Sequence, residues 1–125
     1  MSKNIIFYAP EGAGKSTQAK MLAEKLSVPL QISGDLVRRM ADIDKGLMGD
    51  ICRETLKSGH YVGDSEMFVL WKARLKDADM QNGWVIDGFP RNMTQAEFLE
   101  DKLDKHGKKV DLVVYLNVSE EVSIS

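Results

Sequence analysis

Short apolar runs alternate along the chain with segments whose apolar residues recur at helical spacing. Residues 5–9 (IIFYA) and 83–87 (GWVID) contain continuous apolar runs, which predict strands buried on both faces of a sheet. Residues 110–118, with LVVYL at their centre, give the clearest strand pattern, and residues 29–32 predict a short, weak strand. The pattern therefore predicts four strands.

Helices are predicted between these strands. Apolar residues spaced i, i+3, i+4 and i+7 indicate one buried helical face, and this spacing predicts helices over about 19–26, 48–57, 64–78 and 93–103. Gly59 is expected to end the second helix in a left-handed conformation. Asp64 is expected to cap the third helix.

This order of strands and helices is typical of an α/β protein with a parallel sheet and right-handed crossovers. With 125 residues, the chain is expected to form one domain at most. Open sheets of this kind bind ligands at the carboxyl ends of their strands. The segments that follow three strands, residues 10–17, 33–35 and 87–91, are therefore the candidate sites of chemistry.

Composition narrows the classes of function. Lysine and arginine number 17 and aspartate and glutamate 19, a net charge of −2, which argues against nucleic-acid and polybasic membrane surfaces. A lone cysteine, Cys52, cannot form an internal disulfide or a cysteine-rich zinc site. No apolar stretch approaches the roughly 20 residues of a membrane span. A soluble, cytoplasmic protein is expected.

Residues 9–17 combine glycines, a lysine and hydroxyls between a strand and a helix. Gly12 and Gly14 permit a tight turn, whose N–H groups, together with the helix start, form an anion site. Lys15 can reach the β- and γ-phosphates of a nucleotide, and Ser16 or Thr17 can supply a hydroxyl to Mg²⁺. Alanine stands at position 9, where the pattern GxxxxGK[ST] has its first glycine. The alternative is a glycine-rich turn with a chance lysine.

Three charged residues follow the other strand ends. Asp87 is expected to lie beside the glycine-rich turn, where it can hold a magnesium-bound water, although it could instead cap a helix. Arg91 can bind a phosphate through its forked guanidinium group, and the alternative is a solvated surface arginine. Arg38 is favoured as an anion ligand over Arg39, which is expected to face solvent.

Four segments together resemble the adenylate kinase family of nucleoside monophosphate kinases. Four such motifs, in the right order and at nearly the right spacing, are far more specific than any one alone, and the resemblance runs from about residue 5 to 122. The segments are PEGAGKSTQA (10–19), SGDLVR (33–38), GHYVGD (59–64) and DGFPRNMTQA (87–96).

The resemblance implies a P-loop three-layer α/β/α fold and the reaction of Mg·ATP with AMP to give two ADP. It implies that residues 32–64 form a helical insertion that binds the monophosphate. It implies that Gln95 reads the adenine edge, which favours AMP because relatives specific for UMP or CMP tend to carry asparagine near that position. The implied catalytic residues are Lys15, Arg38 and Arg91.

Binding roles are implied in the same way. The ATP phosphates would be held by Gly12, Ala13, Gly14, Lys15, Ser16 and Thr17. Mg²⁺ would be held by Ser16 and Asp87, partly through water. The AMP site would be formed by Ser33, Arg38, His60, Tyr61, Val62, Gly88, Phe89, Pro90, Arg91 and Gln95.

The sequence also departs from the family pattern. Ala9, Glu11, Ser16, Tyr61 and Asn92 replace residues that are common in the family. Members of the family are longer and add a lid, catalytic arginines and a last strand, so this chain is expected to turn over slowly. The family is usually monomeric, but an exposed sheet edge favours self-association. The alternatives are a nucleotide-binding module without turnover, a kinase for UMP or CMP, and a P-loop kinase for a small metabolite.

Overall fold

A computed structural model describes residues 3–8, 15–59 and 62–115. The strands are β1 (Asn4–Tyr8), β2 (Leu30–Ile32), β3 (Trp84–Asp87) and β4 (Leu112–Tyr115). The α-helices are α1 (Lys15–Leu26), α2 (Ser33–Ile43), α3 (Leu47–Ser58), α4 (Asp64–Leu75) and α5 (Met93–Lys105). A short 3₁₀ helix, Ala78–Met80, follows α4. Residues 116–118 of the predicted last strand lie outside the described residues.

The four strands form one parallel sheet in the order β2-β3-β1-β4, which confirms the predicted α/β class. Phe7 of β1 and Ile32 of β2 both lie in register with Asp87, the last residue of β3. Asp87 therefore stands at the carboxyl end of a central strand, between the ends of its two neighbours.

The sheet is covered on both faces, because successive residues of a strand point to opposite sides. On one face, strand residues such as Ile6 and Ile86 pack with α2, α4 and α5 around Trp71. On the other face, strand residues such as Ile5 and Val85 pack with α1. Helices on both sides of a parallel sheet make the three-layer arrangement of the expected fold.

The helix boundaries differ from the predictions at both α1 and α4. Helix α1 begins at Lys15, four residues before the predicted start at about 19. Helix α4 ends at Leu75 and does not reach Ala78, which begins the 3₁₀ helix. Gly63, rather than Asp64, is the N-cap of α4, and no side chain caps this end. The prediction for Gly59 is confirmed, since this residue ends α3 with φ = 75°.

A buried arginine closes the end of α4. The guanidinium group of Arg74 donates to both carboxylate oxygens of Asp79, at 2.7 and 3.0 Å, and to Asp77 at 3.0 Å. Its Nε donates to Gln31 Oε1 of β2 at 2.7 Å. The hydrogen bonds that Asp79 accepts from Arg74 lower the pKa of this carboxyl group. The network ties the turn after α4 to the edge of the sheet.

The opposite edge of the sheet is more open. Strand β4 pairs with β1, and no other strand among the described residues pairs with its outer edge. Leu112, Val113 and Tyr115 are 52%, 54% and 70% exposed, in contrast to the buried residues of β1 and β3. No helix in the described ranges has the length and apolar character required to span a bilayer.

Candidate functional site

The carboxyl ends of β2 and β3 open onto a cleft of about 400 Å³. Four segments converge on it: the start of α2, the start of α4 together with Val62, the loop after β3, and the start of α5. The lining residues are Ser33, Gly34, Val37, Val62, Asp64, Met67, Gly88, Arg91, Asn92 and Gln95. The parallel topology thus brings together residues that are more than 60 positions apart in the sequence.

Five of the predicted AMP-site residues line this cleft, namely Ser33, Val62, Gly88, Arg91 and Gln95. Phe89 and Pro90 do not. Phe89 is fully buried and stacks on Trp71 with ring centroids 4.8 Å apart. Pro90 lines the space between α5 and β4. His60 and Tyr61 lie outside the described residues.

Arg91 lines the cleft, whereas Arg38, which is predicted for the same site, is not among the lining residues. The guanidinium groups of both arginines lie next to glycines that do line it. A Cβ atom on Gly34 would lie 3.1 Å from the guanidinium nitrogens of Arg38, so a larger residue there would have to displace this group. A Cβ on Gly88 would lie 3.4 Å from Arg91 Nη2. Arg91 is therefore part of the cleft wall, and Arg38 lies next to Gly34 without lining the cleft itself. Such a pair of planar cations suits a phosphate.

Each of these arginines is anchored by its own segment. Arg38 forms an ion pair with Asp35, which lies one turn earlier, in the first turn of α2. Arg91 Nε donates to the carbonyl oxygen of Gly88 at 2.9 Å. Gly88 has φ = 89°, a conformation that favours glycine. Arg39 is exposed, as expected.

Gln95 is the most deeply buried polar residue that lines the cleft, with 5% exposed. Its Oε1 accepts from the backbone N–H of Arg91 at 2.7 Å, and its Nε2 donates to Asp64 Oδ1 at 3.0 Å. Since a carboxamide has two hydrogens and two lone pairs on its oxygen, these bonds use one hydrogen and one lone pair. The side chain therefore joins the α4 start to the Arg91 loop and keeps further bonding capacity.

Asp64 and Asn92 also belong to the cleft, although the sequence pattern indicates a binding role for neither. Asn92 is the N-cap of α5, and its Oδ1 accepts from Gln95 N at 2.8 Å. Its Nδ2 donates to Asp64 Oδ1 at 3.2 Å. The available signal is the asparagine just before the apolar stripe of α5, because asparagine is a favoured N-cap.

Tyr8 supports the same loop from β1. Its hydroxyl donates a hydrogen bond to the carbonyl oxygen of Pro90. Burial raises the pKa of the Tyr8 hydroxyl, and the positive charge of Arg91 partly opposes this shift. Nothing in the sequence pattern points to this contact, since Tyr8 fits the pattern as one more apolar strand residue.

The glycine-rich segment is only partly described. Gly12, Ala13 and Gly14 lie outside the described residues, while helix α1 begins at Lys15 and Thr17 is exposed. Asp87 is 1% exposed at the end of β3, in register with Phe7 of β1, the strand that leads into this segment. Among the described residues, no group of three or more histidine, cysteine, aspartate or glutamate side chains could hold a metal ion.

Comparisons with known proteins identify similar sequences. The family model for adenylate kinase matches residues 7–125. The chain is 40% identical over 121 residues to adenylate kinase 1 of Nostoc sp., covering 97% of this chain and 65% of that protein. It is 40% identical to the adenylate kinase of Archaeoglobus fulgidus and 41% identical to that of Thermosipho africanus. Both alignments cover 94% of this chain. They cover 54% of the Archaeoglobus protein and 55% of the Thermosipho protein.

Proposed function

The chain belongs to the adenylate kinase family, and on that premise we propose that it forms the core of a nucleoside monophosphate kinase. The proposed reaction is reversible transfer of the γ-phosphoryl group of Mg·ATP to AMP, which gives two ADP. An oxygen of the AMP phosphate forms the new bond to phosphorus, and the bond to the β-phosphate oxygen breaks.

The observation that carries this proposal is the position of Arg91 in the cleft wall, with the Arg38 guanidinium group next to Gly34 of the same wall. Two guanidinium groups next to glycines provide charge and close backbone approach for the phosphate of the acceptor. Gln95 lines the same cleft and retains one amide hydrogen and one lone pair. An adenine edge offers a neighbouring acceptor and donor, which such a carboxamide can pair with.

We assign the acceptor site to the insertion between β2 and α4. This segment, residues 32–64, contributes Ser33, Gly34 and Val62 to the cleft and has its own internal support. Arg53 of α3 donates to the carbonyl oxygens of Ala41 and Asp44 at 2.7 Å each. The insertion therefore holds α2 and α3 together as a unit beside the sheet.

The ATP phosphates are assigned to residues 12–17, where Lys15 opens α1. Phosphoryl transfer needs positioning and charge neutralisation more than covalent help, and the proposed contributors are Lys15, Arg38 and Arg91. When bound, Mg²⁺ would neutralise charge on the ATP phosphates. Ser16 and Asp87 are its proposed ligands, and the Asp87 carboxylate fits because Mg²⁺ prefers oxygen donors.

Binding and turnover should be measured separately. Calorimetric titration with AMP, CMP, UMP and GMP is expected to give the tightest binding for AMP. A coupled assay is expected to detect ADP formation slower than that of a full-length relative. Lys15→Met is expected to abolish ATP binding and to leave AMP binding intact. Equal affinity for all four monophosphates, or ATP binding by the Lys15 variant, would contradict the assignment.

A second candidate is a nucleotide-binding fragment without significant turnover. The chain spans 54–65% of the length of the first relatives it matches. In phosphoryl transfer, an arginine at the transferring group is worth about 10³-fold or more in rate. Binding of ATP and AMP without ADP formation would support this candidate over the first.

The open edge of β4 gives a further proposal about association. A strand edge has unpaired N–H and C=O groups that can pair with another chain. Leu112, Val113 and Tyr115 are half or more exposed beside this edge. We therefore propose that this chain by itself pairs with a second copy along β4.

A cytoplasmic location, expected from composition, stays a prediction.

A further inference from the structure

A second cleft, of about 360 Å³, lies at the amino end of β3, whereas the nucleotide cleft lies at the carboxyl end of that strand. The ends of α4 and α5 form its walls, and the 3₁₀ helix between α4 and β3 contributes to its base. No residue of this second cleft lines the candidate nucleotide site.

The rim of this cleft is strongly basic. No aspartate or glutamate lines the cleft, whereas His106 and five lysines do. The lysines are Lys72, Lys76, Lys102, Lys105 and Lys108. Among the described residues, Lys105 forms an ion pair with Asp101 at 3.5 Å, and Lys108 donates to Gln81 Oε1 at 3.0 Å. Lys72 and Lys76 take part in no ion pair within the described ranges.

The negative helix ends and the nearby acids do not neutralise all of this positive charge. The carboxyl ends of α4 and α5 each carry about −0.5 of an elementary charge, which lysines in the last turn partly neutralise. Two such ends offset about one of the five positive charges, and Asp101 offsets one more. The nearest acids after α4, Asp77 and Asp79, both pair with Arg74, and this group of three leaves one net negative charge, which offsets one more of the five. A surplus of positive charge therefore remains at the rim.

The base of the cleft is apolar. Leu75, Met80, Trp84 and Leu103 line it. Leu75 is half-buried, whereas Met80, Trp84 and Leu103 are 1%, 1% and 4% exposed and present little open surface. The volume lies within the range of small-molecule sites, roughly 300–1,000 Å³. An apolar base with a basic rim is complementary to a molecule that has an apolar body and one anionic head.

We propose that this cleft binds a small organic anion with an apolar body, independently of the nucleotide cleft. The body packs on Leu75 and on the methylene stems of Lys72 and Lys76, above the buried ring of Trp84. The anionic head contacts the ammonium groups of Lys72 and Lys76, for which the described structure shows no competing acid.

Octanoate is a suitable probe, with octan-1-ol as its neutral counterpart. The chain contains two tryptophans, so ¹H–¹⁵N spectra show two indole signals, from Trp71 and Trp84. Octanoate is expected to shift the Trp84 indole signal and the backbone signals of the ends of α4 and α5 in a saturable way. Octan-1-ol is expected to bind at least about fivefold more weakly, because it has no charge to pair with the lysines.

The variant Lys72→Gln/Lys76→Gln removes two rim charges at exposed positions and is expected to raise the dissociation constant of octanoate about threefold to tenfold. Lys20→Gln/Lys45→Gln, which removes two exposed charges elsewhere, is the matched control and is expected to bind octanoate as the parent does. The proposal fails if Trp84 and its neighbours do not respond to octanoate. It also fails if octan-1-ol binds equally well, or if both double variants lose affinity equally.

Discussion

Tyr8 donates a hydrogen bond from its hydroxyl to the carbonyl oxygen of Pro90, and so fixes the end of β1 to the loop that carries Arg91. The next residue of that loop, Arg91, has its own N–H bound to Gln95 and its Nε bound to Gly88. One contact from β1, one from α5 and one within the loop therefore hold the backbone around one phosphate-binding candidate. Preorganisation of this kind lowers the cost of placing the guanidinium group when ligand binds.

Removal of the Tyr8 hydroxyl is expected to weaken AMP binding without abolishing it. Tyr8→Phe keeps the half-buried ring but leaves the Pro90 carbonyl without this donor, and a hydrogen bond of this kind contributes about 0.5–1.5 kcal/mol. The dissociation constant for AMP, measured by calorimetry, should rise about twofold to tenfold. Tyr115→Phe, at a 70% exposed tyrosine of β4, is the control. An unchanged Tyr8→Phe affinity would show that the contact does not position Arg91.

Loss of Arg38 or of Arg91 is expected to weaken the binding of the AMP phosphate and to leave the binding of the adenosine part unchanged. Arg38→Met and Arg91→Met should each weaken AMP binding about tenfold to hundredfold, since hydrogen bonds to charged groups contribute about 1.5–3 kcal/mol. Adenosine, which has no phosphate, should bind both variants as it binds the parent chain. Arg39→Met removes an exposed arginine next to Arg38 and should change neither affinity. If adenosine binding falls in parallel with AMP binding, the arginines have a structural role instead.

The contact between Gln95 and Asp64 predicts a pH-dependent defect. Gln95→Glu can still accept from the Arg91 N–H, but it places a second carboxylate oxygen about 3.0 Å from Asp64 Oδ1. Like charges at this distance raise the pKa of one carboxyl, so the variant should lose stability at neutral pH. The loss should diminish as the pH falls and the pair takes up a shared proton.

Thermal unfolding of the parent and the Gln95→Glu variant across a range of pH values measures this effect. Gln18→Glu introduces the same charge at an exposed position of α1 and should show no such pH dependence. A Gln95→Glu defect that is the same at acidic and neutral pH would mean that repulsion from Asp64 is not its cause.

The Arg74 network predicts how stability falls in acid. Arg74 lowers the pKa of Asp79 below its usual value of 3.8. A carboxyl whose pKa is lower in the folded state contributes stability above its unfolded pKa and loses it as the pH falls through the folded one. Because the Asp79 side chain is 55% exposed, solvent screening limits this contribution to below about 1 kcal/mol.

Urea unfolding of the parent and of Asp79→Asn tests that sign. The parent should be the more stable at pH values above the unfolded pKa of Asp79, and the two should converge in stronger acid. Asp101→Asn, which removes an exposed partner of Lys105, is the control and should have little effect at any pH. Divergence of the Asp79→Asn and parent curves toward low pH would contradict the assignment.

Much of the fold follows from local patterns in the sequence. Continuous apolar runs identify β1 and β3 because both faces of these strands are buried. Helix α2 is not predicted as a full helix, although Leu36, Val37 and Ala41 form a buried stripe within it. This stripe is short and is interrupted by charged residues, so its helical spacing is a weak signal.

The contacts of the site are harder to predict than its members. Motifs identify Arg91 and Gln95, but the bond between Gln95 and Asp64 joins residues 31 positions apart. Whether a carboxylate caps its own helix or pairs across a cleft depends on how α4 and α5 pack. The sequence pattern therefore favours a cap at Asp64, and it does not reveal the support that Tyr8 gives to the loop.

The edge of β4 provides the last prediction, which concerns the chain by itself. If a second copy pairs along this edge, sedimentation velocity should show a dimer whose fraction rises with protein concentration. Val113→Lys places a charge at a 54% exposed position of this strand and should shift the equilibrium to monomer, because edge lysines oppose strand pairing. Val69→Lys, at a 54% exposed position of α4, adds the same charge away from the edge and should leave the dimer in place. A chain that stays monomeric at all concentrations, or a dimer that both variants dissociate equally, would rule out pairing through β4.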